Sequence, residues 1–125
     1  MEIHRHNGTL TVNGVGELSA VNARFFRNEI CERLDPELER IEIDLSETSF
    51  VDSSGLGALV SVYKAAHERS RHGGVRMRLL SAAPPVRQLF ELTRMHHLFE
   101  IVSSDGESVA ESARPEQSVE AAGSR

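Results

Sequence analysis

Cysteine is nearly missing from this sequence: among 125 residues only Cys31 occurs. No disulfide can form within the chain, so the fold must hold by packing alone, for which this length suffices. Long apolar runs are missing too, with nothing approaching the roughly 18 residues of a membrane-spanning helix. The amino terminus lacks the pattern of a secretory signal, and the expectation that follows is a cytoplasmic protein without membrane insertion. Basic runs are absent: Arg69, Arg71, Arg76 and Arg78 form the densest set, and the formal net charge is -5. Nucleic-acid binding through a basic face is therefore not expected. No internal repeat is visible.

Catalytic spacings are missing as well, most tellingly around Asp52-Ser53-Ser54-Gly55-Leu56-Gly57. A hydrolase elbow needs a glycine two residues before its serine, and Val51 and Asp52 stand there instead. Gly55 and Gly57 lack a third glycine at dinucleotide-loop spacing, and no Gly-Lys-Ser/Thr follows them. Of the six histidines (His4, His6, His67, His72, His96, His97), the pairs His4/His6 and His96/His97 have no Cys, Asp or Glu nearby at a standard metal-ligand spacing. Solvated side chains are the expectation for them, with no metal and no cofactor. Glu91 and Glu100 have no evident carboxylate partner for acid–base work. Cys31 reads as a small core residue.

What is present is an ordinary globular composition, 39% hydrophobic and 26% charged, and a regular alternation of patterns. Residues 2–15 read as a hairpin, with Asn7-Gly8 as a type I′ turn and Asn13-Gly14 as a second turn or bulge. Ser19 caps a predicted helix over 20–34, with Val21, Phe25, Ile30 and Leu34 on its inner stripe, and Asp35-Pro36 ends it. A strand follows at about 40–45. The next helix runs from Ser53 to His72, with Leu56, Leu59, Val60 and Tyr63 on one face, and Gly73-Gly74 stops it as an αL cap. Val75 to Leu80 make a strand. Pro84-Pro85 open a helix to about Arg94 with Val86, Leu89, Phe90 and Thr93 inward. Leu98 to Val102 form a last strand. Residues 104–125, rich in Ser, Glu, Ala and Gly, are too polar to offset their ordering entropy and read as a disordered tail. The order β-β-α-β-α-β-α-β implies one α/β domain over 1–103: two layers, with helices packed on a mixed sheet whose later part is parallel.

The 41–59 stretch carries the chemistry. Alternation at Ile41, Ile43 and Leu45 gives way to helical spacing, and the small polar cluster sits at the junction. A serine there lies at the positive end of a helix with its hydroxyl toward solvent. Two readings fit: Ser53 or Ser54 caps the helix, worth about 1 kcal/mol, or a serine accepts a phosphoryl group near unpaired backbone N–H groups. The added charge of roughly -1.5 to -2 would lie beside Asp52.

Ile43-Asp44-Leu45-Ser46, Phe50-Val51-Asp52-Ser53-Ser54-Gly55-Leu56-Gly57 and Tyr63-Lys64 resemble the core signature of STAS domains, in particular anti-sigma factor antagonists of the SpoIIAA type. Gly73-Gly74, the segment from Pro84 to Leu92, Leu98-Phe99-Glu100-Ile101 and Gly16-Glu17-Leu18 continue the resemblance over about residues 2–102. It implies a non-enzymatic partner switch. The unmodified protein would bind an anti-sigma factor that is also a serine kinase of the GHKL type. That kinase would phosphorylate Ser53, and a PP2C-type phosphatase would reverse the change. Asp52, Ser53, Ser54, Gly55, Leu56 and Gly57 would form the docking surface, with Gly55 and Gly57 allowing close approach. A scaffold role in a stressosome-like or lipid-transport complex is the alternative, and the family leaves room for a weak homodimer. The sequence departs from the family at Ser19, where Asp is usual, and in a shorter amino-terminal part.

Overall fold

A computed structural model of the chain describes residues 1–103; the predicted tail at 104–125 lies outside the described residues. Five strands, β1 (Glu2–His6), β2 (Thr9–Asn13), β3 (Arg40–Asp44), β4 (Arg76–Ala82) and β5 (Glu100–Ser103), form one sheet in sequence order. β1 and β2 pair antiparallel, and β2 through β5 run parallel. The crossovers carry α1 (Ala23–Cys31), α2 (Ser53–Arg69) and α3 (Pro84–Leu92), with a short 3-10 turn at Met95–His97. The predicted mixed two-layer α/β sheet is what forms.

Register shows why. Leu10, Ile41 and Met77 lie in one row, and Val12, Ile43, Leu79 and Ile101 in the next; all seven are buried. Phe26, Ile30, Leu59, Val62, Ala66, Val86 and Phe90 from the helices complete that core. The opposite face carries Thr11, Glu42, Arg78 and Glu100 in register. There Arg78 Nη1 donates to Glu42 Oε2 at 2.9 Å and Arg76 Nη2 to Glu100 Oε1 at 2.7 Å. Parallel sheets usually bury both faces; here alternation of apolar and charged residues leaves one face polar.

Several expectations change in detail. Asn7 alone takes a left-handed φ, 54°, whereas a type I′ turn requires the same of Gly8. Gly14, at φ 73°, ends β2. α1 starts at Ala23 rather than at Ala20, with Asn22 in the N-cap position, and it ends at Cys31. Its inner stripe is Phe26 and Ile30, while Val21 and Phe25 are 88% and 58% exposed. α2 ends at Arg69: Ser70 leaves the helix in an extended conformation, so Gly73-Gly74 is a separate turn and not the cap. The buried stripe of α2 is Gly55, Ala58, Leu59, Val62 and Ala66, with Leu56, Val60 and Tyr63 on its half-buried flanks. Cys31 is half-buried, and its thiol pKa is raised by that burial against the opposing pull of Arg69 and Arg27.

Candidate functional site

Every parallel strand ends at the same edge of the sheet, and α1 and α2 both begin there. β3 stops at Asp44, whose Oδ1 accepts the Ser46 N–H at 2.9 Å and turns the chain. The connector then runs beside the loop that follows β2. Ser49 N donates to Gly16 O at 3.0 Å, Leu18 N to Phe50 O at 2.9 Å, and Asp52 N to Leu18 O at 3.1 Å. Thr48, 2% exposed, donates its hydroxyl to Val15 O at 2.6 Å. These bonds fix the loops that present the Asp-Ser-Ser segment.

Asp52 is the N-cap of α2. Its Oδ1 accepts the Gly55 N–H at 3.0 Å, while its Oδ2 accepts the Ala20 N–H at 3.1 Å. The bond from Gly55 N–H is the main cause that holds the carboxyl below the usual carboxylate pKa, with that from Ala20 adding to it. The helix start is therefore capped by aspartate, not by serine. Ser53 and Ser54 occupy the first helical positions, both exposed, and neither hydroxyl hydrogen-bonds to a described residue.

The six residues expected to act together are contiguous, but they play different parts. A Cβ on Gly55 would stand 2.0 Å from Leu18 O, so this buried glycine lets α2 pack on the preceding loop rather than letting a partner approach. A Cβ on Gly57 would meet nothing within 4 Å, so its surroundings are open. Leu56 is half-buried and packs against the core.

The exposure of three apolar residues, Phe50, Val21 and Phe25, escaped the sequence reading. Phe50 is 54% exposed two positions before Asp52, and Val21 follows the Ala20 that Asp52 holds. Phe25 lies one helical turn beyond Val21. The missed signal lies at the start of α1, where two apolar i, i+4 pairs, 21/25 and 26/30, cannot both face the core and Val21 falls in the turn before the helix.

Ser19 is not the cap of α1. It is 4% exposed, its hydroxyl donates to Glu17 Oε2, and it accepts the Val21 N–H at 3.2 Å. Asn22 closes the same turn, donating its side-chain amide to Glu17 O at 2.6 Å. No group of three or more potential metal ligands occurs among the described residues. His96 and His97 stack at 4.4 Å beyond α3, and burial lowers the His96 pKa, with the His97 charge adding to it. No helix among the described residues is long and apolar enough to cross a membrane.

Comparison with known proteins places this architecture. The family model described as STAS domain matches residues 1–108, and the chain belongs to that family. An anti-sigma F factor antagonist of Paenibacillus polymyxa is 27% identical over 112 residues, which cover 89% of this chain and 92% of that protein. SpoIIAA in its unphosphorylated form superposes with a TM-score of 0.61 at 20% identity, covering 90% and 92% of the two chains. The Bacillus cell fate determinant SpoIIAA in its phosphorylated form gives 0.58 at 19% identity, covering 83% and 92%.

Proposed function

We propose that this STAS domain is an anti-sigma factor antagonist that works as a partner switch, with Ser53 as the phosphorylated residue. One observation carries the reading: Asp52 performs the capping, which leaves the Ser53 and Ser54 hydroxyls exposed and uncommitted in the first turn of α2, and the resemblance selects Ser53 as the serine directly after the aspartate. The unmodified protein binds an anti-sigma factor that is also a serine kinase of the GHKL type, and it acts in the cytoplasm without catalysing a reaction itself. Phosphate transfer forms a bond from Ser53 Oγ to the γ-phosphorus of the kinase's ATP. The hydroxyl loses its proton and ADP leaves. A PP2C-type phosphatase restores the hydroxyl by hydrolysis.

The switch follows from electrostatics. A phosphate adds about -1.5 to -2 charges at pH 7 directly beside the Asp52 carboxylate. Asp52 cannot turn away, because both of its oxygens hold backbone N–H groups. A partner surface that fits the neutral serine then meets a concentrated negative charge. The relative of Paenibacillus polymyxa named as an anti-sigma F factor antagonist, and the two phosphorylation states of SpoIIAA, support the same reading.

The test is titration calorimetry, with ADP present, against a serine kinase of the GHKL type recovered by pull-down with the unmodified chain. Ser53→Ala should bind as the wild type does, and Ser53→Asp at least tenfold more weakly. Equal affinity for all three proteins contradicts the switch and favours a scaffold role.

A further inference from the structure

Between α1 and α2 lies an open groove of about 410 Å³, lined by Ala23, Arg24 and Arg27 from one helix and Ser54, Ala58 and Ser61 from the other. It exists because the facing residues are small: Ala23 and Ala58 leave the helices apart near their starts. The helices are tied at both ends. Asp52 holds Ala20 at the amino-terminal end, and Arg69 Nη1 donates to Cys31 O at 2.9 Å at the other. The gap is thus a built feature of a braced helix pair.

Its lining holds two arginines and no carboxylate. The chain carries a formal net charge of -5, and Arg5, Arg33, Arg40, Arg71, Arg76 and Arg78 each pair with a carboxylate. Arg24 pairs with no carboxylate among the described residues, as is also true of Lys64, Arg69, Arg87 and Arg94 elsewhere on the surface. Arg27 reaches only Asn28 Oδ1, its neighbour in sequence, at 2.8 and 3.2 Å. Two exposed guanidinium groups therefore stand on one wall, with two serines opposite. The helices begin at the same end of the sheet, so their dipoles add positive potential there. Guanidinium groups are planar forks that match carboxylates in two-point contacts.

We propose that this groove takes an acidic segment of the protein that docks on Ser53, with Arg24 and Arg27 receiving its carboxylates and setting partner specificity. The inference rests on the partner-switch reading, since the groove borders the Ser53–Ser54 start of α2 and a body seated on that start also covers it. Charge complementarity selects the occupant: a basic or purely apolar segment would leave both guanidinium groups facing a desolvated, unpaired environment. The apolar side chains Val21 and Phe50 then supply the adjoining dry contact.

The test is binding kinetics of the full chain with the GHKL-type serine kinase recovered by pull-down, at low and at high salt. The Arg24→Glu/Arg27→Glu pair should lose at least tenfold in affinity, mostly in association rate, and lose much of the salt dependence. Arg24→Lys/Arg27→Lys should recover part of it, and Arg33→Glu/Arg71→Glu should change affinity less than twofold. Circular dichroism confirms that each variant folds. Unchanged affinity in the groove pair, with Ser53 still phosphorylated, overturns the inference and leaves the switch standing. A groove pair that alters sedimentation of the chain alone identifies a second copy as the occupant and overturns it. If Ser53 accepts no phosphate from the kinase, the switch fails and the inference falls with it.

Discussion

Asp52 Oδ2 accepts the backbone N–H of Ala20 at 3.1 Å, joining the loop before α1 to the start of α2 across 32 positions of sequence. The same carboxylate caps α2 through Gly55 N–H. One side chain thus fixes both elements that border Ser53, and this gives the site a pH signature. The Asp52 pKa is lower in the folded chain than its ordinary value near 3.8. Its contribution to stability is fully present above the unfolded-state value and is lost as pH falls through the folded one. Acid unfolding of the wild type should therefore steepen below pH about 4. Asp52→Asn should show less of that slope and a lower melting temperature at pH 7. Identical pH profiles would contradict the double tie.

The two glycines of the segment should separate cleanly. Gly55→Ala drives a Cβ to 2.0 Å from Leu18 O, and since backbone must move to relieve it, destabilisation of about 3 kcal/mol is expected. Gly57→Ala meets open space inside a helix and should be neutral or stabilising by about 0.5–1 kcal/mol. Chemical denaturation measures both. If partner binding weakens in Gly57→Ala while stability holds, the partner approaches that exposed turn closely.

Phe50, Val21 and Phe25 are mostly exposed. Replacing each by Ala should shift stability by less than about 0.5 kcal/mol, as is usual for surface sites. Partner affinity should fall severalfold for Phe50→Ala and Val21→Ala, read by calorimetry. A large loss of stability would show that these side chains serve the fold instead.

Alternation made the sheet legible in the sequence: Ile41 and Ile43 inward, Glu42 and Asp44 outward, with glycine turns between elements. The phase of α1 was not legible. Val21/Phe25 and Phe26/Ile30 are equally apolar pairs, and the choice between them is made by where the helix starts. That start depends on the turn built by Glu17, Ser19 and Asn22, a set of contacts with no periodic signal. The cap was ambiguous for a related reason. Asp52, Ser53 and Ser54 are all good N-cap residues, and only the path set by the Leu18–Asp52 backbone bond puts Asp52 in that position. Gly55 looked like room for a partner because sequence shows that a side chain is absent, not what occupies the space.

The central claim concerns which hydroxyl carries the phosphate. Incubating the wild type, Ser53→Ala and Ser54→Ala with the GHKL-type serine kinase recovered by pull-down and ATP, followed by intact mass measurement, decides it directly. The account predicts one added phosphate on the wild type and on Ser54→Ala, and none on Ser53→Ala. Full phosphate on Ser53→Ala would contradict it.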